Sequence, residues 1–486
     1  MFPCNSAGEY CRPLPLAPSL NEARYTANIA KIKERIARGE TYQVNYTFPL
    51  SGRDGVHPMD RFAALHHAQR SRYSALIETP DFAICSASPE LFFRLTGNRI
   101  VCQPMKGTAP RGRWAAEDDA FAEQLQNSKK DRAENVMIVD MMRNDLGRIA
   151  PAGSVVTTRL FDVEQLPTVW QMTSTVEADT SASLDEMFGA LFPCSSITGA
   201  PKIQTMRIIR ELENDPRGIY TGAIGIVGPN RRAQFSVAIR TLTVNKAGQN
   251  VTYNVGSGVI WDSDAEKEYA ECLAKSLVLE AGEPFSIFST LRWESDKGCE
   301  LWPRHVARLE RAARRFGYPF SSEQLQHHFD ETAQAFPPDA QRVRIGIHAD
   351  GRIEIEHQPL PNTNPTRVAI ATTPINTTSP FLFHKTTRRS SYEQARAARP
   401  DADDVLLWNE AGEITESTIA NVAIQAEGHW VTAPIECGLL PGVMRGELLD
   451  RGEWIEGRIH RTAIAPGTPI QLANALRGKW VAELIG

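Results

Sequence analysis

Nothing in this chain of 486 residues reads as a membrane span: no stretch approaches the roughly 18 consecutive apolar residues that a spanning helix needs. The opening segment, MFPCNSAGEYCRPLPLAPSL, lacks the basic stretch followed by an apolar core that marks a secretory signal. Cysteine is sparse. Cys4, Cys11, Cys85, Cys102, Cys194, Cys272, Cys299 and Cys437 are scattered without a Cys-x-x-Cys pair, which argues against a zinc ribbon or a disulfide frame. Reduced thiols in a cytoplasmic protein are the expectation. An excess of positive charge is missing as well: 53 Lys and Arg against 58 Asp and Glu give a formal charge of −5. General affinity for nucleic acid or an anionic membrane is therefore not expected. Internal repeats and low-complexity segments are absent from the sequence.

What remains is a globular composition, 42% hydrophobic and 8% aromatic, in a chain too long for one ordinary core. Mixed α and β signals alternate throughout. A helix is expected over 20–38, with Ser19 and Glu22 as a capping box. Strands are expected over 82–95 and 99–105. Amphipathic helices are expected over 117–142, 202–213 and 264–280, the last opened by Ser263 and Glu266 as a second box. The segment EAGEPFS, 280–286, interrupts with Gly and Pro and divides the chain into expected domains 1–282 and 283–486. Beyond it, QRVRIGIHADGRIEIEHQPL alternates apolar and polar residues around Asp350-Gly351, a hairpin pattern.

Two front helices carry paired acids. Asp131 and Glu134 stand at i, i+3; Glu268 and Glu271 repeat the spacing, with Lys275 one turn beyond. Taken by spacing alone, solvated helix faces with i, i+4 pairs are the expected reading, since charged helix faces are the norm. If the faces converge, four carboxylates meet, and like-charge repulsion then demands a cation. Oxygen-only donors select a hard ion, for which Mg²⁺ fits best.

The segments YQVNYTFPL, SASPELFFR, QPMKGTAPRG, DRAENVMIVDMMRNDLGR, SITGAPK, YTGAIG, AIRT and VGSGVIWDSDAEKEYAE follow one another in one order between Tyr42 and Glu271. Together they resemble the chorismate-utilising enzymes. The resemblance implies a chorismate-binding β-sandwich flanked by helices, with chorismate as substrate. It implies that Glu134 and Glu271 hold Mg²⁺, with Asp131 and Glu268 supporting through water. Arg240, Lys275, Gly256 and Gly258 would meet the enolpyruvyl carboxylate, Ser196 and Thr198 would donate hydrogen bonds, and Tyr220 would wall the pocket. Within the family, the anthranilate synthases have a small residue where this chain has Lys106, whereas the aminodeoxychorismate synthases have lysine. A lysine in a water-poor pocket beside other cations can act as a nucleophile. The resemblance makes Lys106 that nucleophile and Glu90 a general acid and base. The chain departs from the pattern in its short lead before the first family-like helix, in Gln171 where many relatives have His, and in Cys194-Ser195 where two glycines are common.

The rear half carries FSTLR, RHVARL, FHKTTRRSSYEQAR, DVLLWNEAGEITESTIANVAI and GLLPGVMR. These resemble fold-type IV pyridoxal-phosphate enzymes, the group of branched-chain and D-amino-acid aminotransferases and aminodeoxychorismate lyase; the KTTRR segment is most similar to the lyase. The resemblance implies Lys385 as the lysine that takes the cofactor aldehyde and Glu416 as partner of the pyridine nitrogen. It implies Arg308 on the phosphate with the backbone N–H groups of Val443 and Met444, and Asn421 bracing the turn after Glu416. It also implies a homodimer through the rear domain. The paired activities would convert chorismate to 4-aminobenzoate. No glutaminase nucleophile motif is present in the sequence, so a glutamine amidotransferase subunit is the expected ammonia source. Two alternatives stay open: an anthranilate-forming front domain with an unrelated aminotransferase, and an inactive scaffold.

Overall fold

Tyr25, Ile29 and Ile32 recur at helical spacing along Glu22–Ala37, and all three are buried. They pack on Tyr46, Phe48 and Leu50 of strand Gln43–Arg53, whose alternate residues share one face. The opposite face of this strand and of its neighbour Asn250–Val259 is free to line a cavity. The computed structural model describes residues 13–279, 285–361, 363–426 and 428–486. Cys4, Cys11 and the boundary segment around residue 282 lie outside them.

The chain divides into two compact units, residues 1–111 with 121–283, and residues 112–120 with 284–486. The first holds two seven-stranded sheets. One runs Ala17–Pro18, Gln43–Arg53, Asn250–Val259, Thr241–Asn245, Phe82–Ser88, Tyr73–Glu78, with Gly199–Ala200 on Gln43–Arg53. The other runs Ala223–Gly228, Arg232–Val237, Leu91–Thr96, Arg99–Gln103, Val169–Asp179, Met105–Pro110, with Val156–Gln165 on Val169–Asp179. Each has its own core. Helices Glu22–Ala37 and Ala265–Ala274 cover the first, and helices Lys129–Gly147 and Leu184–Leu191 cover the second. Residues from both sheets meet at Ile84, Ile224 and Ala238.

In the second unit, Ile287–Trp293, Gln341–Ile347 and Ile353–Pro359 form an antiparallel sheet covered by helices Trp302–Phe316 and Ser322–Ala333. The expected hairpin is present, and its turn places Gly351 at φ 88°, a backbone region open to glycine. An eight-stranded mixed sheet follows, and the pairing of Ile414–Ser417 with Asn421–Ala426 closes six of its strands into a ring. Among the described residues no helix is long and apolar enough to cross a membrane.

Both expected capping boxes are corrected. Asn21, not Ser19, caps the first helix by accepting from Arg24 N (3.0 Å), and Asp264, not Ser263, caps Ala265–Ala274 through Lys267 N. Asn and Asp sit nearer the first turn and cap as well as Ser. Ser263 Oγ donates to Glu268 instead. The stretch 117–142 is two helices, Ala115–Asn127 and Lys129–Gly147, because Ser128 caps the second. The run 264–280 likewise gives α-helix only to Ala274, followed by a single 3₁₀ turn.

The aromatic cluster on the second sheet is the most exacting packing. Phe93 is fully buried and packs between Phe92, Phe188 and Phe235. Phe93→Ala should cost about 3–5 kcal/mol, read as a lowered urea midpoint. A loss below about 1 kcal/mol would show that the cluster relaxes into the space.

Candidate active sites

The free face of strand Asn250–Val259 and the loop after strand Phe82–Ser88 bound a cavity of about 240 Å³. Lys106 enters it from strand Met105–Pro110, with Glu90 and Glu134 on its lining. The lysine's backbone is pinned: Asn135 Nδ2 donates to its carbonyl (3.1 Å), and Ser174 Oγ holds Asn135 Oδ1 (2.5 Å). Gln171 locks the next turn by donating to Gly107 O (2.8 Å) and accepting from Thr108 Oγ1 (3.1 Å). The Lys106 ammonium lies against the Cα of Gly258, where any side chain would overlap it.

Glu90 is buried, and burial pushes its carboxyl up to about 7 despite the hydrogen bond from Ser196 Oγ (2.6 Å). Tyr220 forms a buried wall, its phenol raised by desolvation. Arg240, in a left-handed backbone conformation at φ 51°, donates to Lys275 O (2.6 Å). Lys275 Nζ in turn donates to Gly256 O (2.7 Å) and pairs with Glu271 (2.7 Å). Burial raises the Glu271 carboxyl, but Lys275, with Lys106 and Arg240, outweighs it and holds the group below its ordinary value.

Asp131, Glu134, Glu268 and Glu271 all line this cavity. Among the described residues no three or more His, Cys, Asp or Glu side chains are gathered to hold an ion. Each acid has its own partner: Lys106 for Glu134 (3.4 Å), Ser128 for Asp131 (2.5 Å), Ser263 for Glu268 (2.8 Å), Lys275 for Glu271. The donors are nonetheless all carboxylate oxygens, the chemistry a hard cation takes.

One expectation changes. Thr198 is buried and does not line the cavity; its hydroxyl donates to Cys194 O and Ser195 O, closing the 3₁₀ turn Ser195–Ile197. Gly256 lines it, and a side chain there would also strike Thr47 and Tyr46 O on the paired strand.

The second unit holds a larger cavity, about 620 Å³, with Arg308, Lys385, Glu416, Asn421 and Val443 on its wall. Lys385 Nζ stands 5.2 Å from the Phe288 ring centre. Burial, with Arg308 and Arg389 nearby, lowers its ammonium to about 7. Burial raises Glu416 to about 7 as well; Tyr392 OH (2.7 Å), Leu440 N (3.1 Å) and Asn421 Nδ2 (3.4 Å) donate to it. Arg308 donates to Ser289 Oγ (2.7 Å), and its buried Nε has no partner among the described residues. A guanidinium with one N–H unclaimed, on the same cavity wall as Val443 at the start of helix Val443–Asp450, suits a phosphate. Met444 is not on the cavity wall; its side chain packs with Leu448 and Trp454.

Sequence reasoning passed over Asn135, Ser289 and Tyr392, and also Arg342 and Arg477, whose buried Nε atoms lack partners in the rear cavity. A lone arginine on a strand, as Arg342, or in a turn, as Arg477, carries no motif. Alternation along QRVRIGI could have set Arg342 on one face with Arg344, but not named the cavity.

The chorismate binding enzyme family matches residues 4–280, and the amino-transferase class IV family matches residues 286–483. Aminodeoxychorismate synthase component 1 of Bacillus subtilis (strain 168) is 38% identical over 277 residues, 57% of this chain and 57% of that protein. Anthranilate synthase component 1 1 of Haloarcula marismortui is 40% identical over 257 residues, 52% of each. The crystal structure of anthranilate synthase component I from Streptococcus pneumoniae TIGR4 aligns at TM-score 0.52 and 29% identity, covering 57% of this chain and 62% of that one. The chain therefore spans about half the length of the curated relatives it matches. Identity is as high to one kind of synthase as to the other, so the distinction rests on the site.

Glu90 gives a pH signature. Its folded value, about 7, lies above the unfolded 4.5. Its favourable contribution is therefore complete below pH 4.5 and lost as pH rises through 7. Glu90→Gln keeps an acceptor for Ser196 and removes that loss. The variant should exceed the wild type in stability by on the order of 3 kcal/mol at pH 8 and match it near pH 4, in urea melts. A pH-independent difference would contradict the buried acid.

Proposed function

The chain belongs to the chorismate-binding enzyme family, and from that premise we propose that it makes 4-aminobenzoate in two steps. The front unit aminates chorismate and the rear unit eliminates pyruvate from the product. The observation that carries this reading is the placement of two lysines, Lys106 and Lys385, each in its own charged cavity.

In the front cavity Arg240 and Lys275 meet the substrate's carboxylates, Ser196 adds a hydrogen bond, and Tyr220 closes the wall. Lys106 Nζ attacks ring C2 while the C4 hydroxyl departs, and Glu90, half protonated near neutrality, gives that hydroxyl its proton. Ammonia then bonds to C4 and the C2–N bond to Lys106 breaks, so chorismate and ammonia give aminodeoxychorismate and water. Glu134 and Glu271 would hold Mg²⁺, with Asp131 and Glu268 behind them, supplying positive charge opposite the ring carboxylate. That the relatives are named component 1 supports a second component, here a glutamine amidotransferase that delivers ammonia.

In the rear cavity Arg308, with the N–H groups of Val443 and Met444, would hold the phosphate of pyridoxal phosphate. Glu416, steadied by Tyr392 and Asn421, would face its ring nitrogen. The cofactor supplies an electron sink when bound. Lys385, with its amine half free near neutrality, removes the proton at C4 of the amine. The enolpyruvyl ether bond then breaks, pyruvate leaves and the ring becomes aromatic. Arg342 and Arg477, unpaired at Nε in this cavity, favour a dianionic substrate over a simple amino acid. A homodimer through the rear unit and a cytoplasmic setting complete the proposal, the latter resting on the free cysteines.

Purified chain given chorismate, Mg²⁺, pyridoxal phosphate and ammonium at alkaline pH should release 4-aminobenzoate and pyruvate in equal amounts. Alkaline pH supplies NH₃ with its lone pair. EDTA should stop chorismate consumption while leaving supplied aminodeoxychorismate to be cleaved. Glutamine in place of ammonium should be silent until an amidotransferase is added. Anthranilate as product would overturn the assignment.

The lysines should separate. Lys385→Ala should abolish the cofactor's visible absorbance and let aminodeoxychorismate accumulate. Lys106→Ala should stop its formation with that absorbance intact. Amination at the native rate by Lys106→Ala would eliminate the covalent step.

A further inference from the structure

The second unit is not built from the rear of the chain alone. It includes Gly112–Ala120, a segment separated from the rest of that unit by the chain from Phe121 to Glu283. The segment is a self-locked turn. Gly112 N donates to Asp118 Oδ1 (2.8 Å), Arg113 N to Glu117 Oε2 (2.6 Å), and Asp118 N to Trp114 O (2.9 Å). A side chain at Gly112 would run into the backbone of residues 117 and 118.

This turn sits beneath the residues that precede Lys385. His384 is buried, and its Nε2 lies 3.1 Å from Arg113 O. Since a carbonyl only accepts, His384 Nε2 carries the proton and donates. Burial, with Arg315 beside it, keeps the imidazole neutral. Arg315 Nε donates to Gly112 O (2.7 Å), and Arg113 Nη1 reaches Thr377 O (3.4 Å). Trp114 meets Phe383, which is almost wholly buried, with ring centres 5.1 Å apart and planes tilted by 38°, and packs against the cluster that contains Tyr392. Tyr392 OH is the donor to Glu416. On its other side, the Lys385 backbone is held by Phe288 N donating to Lys385 O (2.9 Å).

We propose that Gly112–Ala120 is the positioning element of the rear active site: Trp114, through Phe383 and Tyr392, sets both Lys385 and Glu416. The proposal rests on the reading of Lys385 as the cofactor lysine. Trp114 touches neither substrate nor cofactor; it acts by fixing the rotamers of the residues that do. Its loss leaves Phe383 without one wall and loosens the cluster that holds Tyr392, so Lys385 and Glu416 keep their chemistry and lose their register.

The test uses the full chain, stripped of cofactor and titrated with pyridoxal phosphate by absorbance. Trp114→Ala should bind it about tenfold more weakly, a loss of about 1.4 kcal/mol. The pH midpoint of the bound-cofactor band should shift, and kcat for pyruvate release should fall with KM nearly unchanged. Trp114→Phe should restore most of each quantity, and ammonium-dependent chorismate consumption should stay within twofold. Cofactor affinity and pH midpoint equal to wild type would overturn the proposal alone. Wild-type protein that binds no pyridoxal phosphate would overturn the reading beneath it as well. Should Trp114→Ala lose both activities, Arg113→Ala, which removes the link to Thr377 and leaves Trp114, decides on the same readouts: unchanged affinity and midpoint refute the proposal, and a shift in both supports it.

Discussion

Lys275 ties the front cavity together. Its ammonium holds Glu271 and the carbonyl of Gly256, while its own carbonyl accepts from Arg240 and from Tyr253. Helix Ala265–Ala274, strand Asn250–Val259 and the strained Arg240 backbone are thereby fixed to one point. The constraint behind this is electrostatic: several carboxylates on the wall of one small cavity repel each other unless they are compensated. Lys106 and Lys275, which compensate Glu134 and Glu271, are the groups an anionic substrate would seek. Substrate and carboxylates therefore compete for the same ammonium ions.

The rear cavity solves the opposite problem. Its one buried acid, Glu416, is stabilised by three neutral donors rather than by a cation in contact. Its arginines keep open valence, Arg308, Arg342 and Arg477 each having a buried Nε without a partner. Repulsion among these cations is part of what lowers Lys385. The cavity is thus built around missing negative charge, and the front one around an excess of it.

The residues that line the two cavities were legible where local motifs carry them: Lys106 within PMKGT, Glu90 within SPE, Lys385 within HKTTRR, Glu416 within TES. Strand positions were legible where alternation is strict, as in Gln341–Ile347. What escaped depends on contacts between distant residues. Asn135 gains its role from the Lys106 carbonyl, and Thr198 loses its expected one to the carbonyls of its own turn. The four acids share a cavity, but lysine and serine partners that spacing does not reveal keep them apart as pairs. The helix caps were missed by one or two residues because Asn21 and Asp264 compete with neighbouring serines on equal terms.

The discontinuity of the second unit sets an order of events during synthesis. Gly112–Ala120 leaves the ribosome long before Pro284, yet its partners, Arg315, Thr377, Phe383 and His384, all emerge later. Domains mostly fold as they appear, first ones first. Here one strip of the earlier chain, with the Trp114 indole, must stay unclaimed while everything around it in sequence condenses. A nascent chain paused in the second half would present that strip to solvent and to chaperones. The late half completes its fold only by reaching back for it.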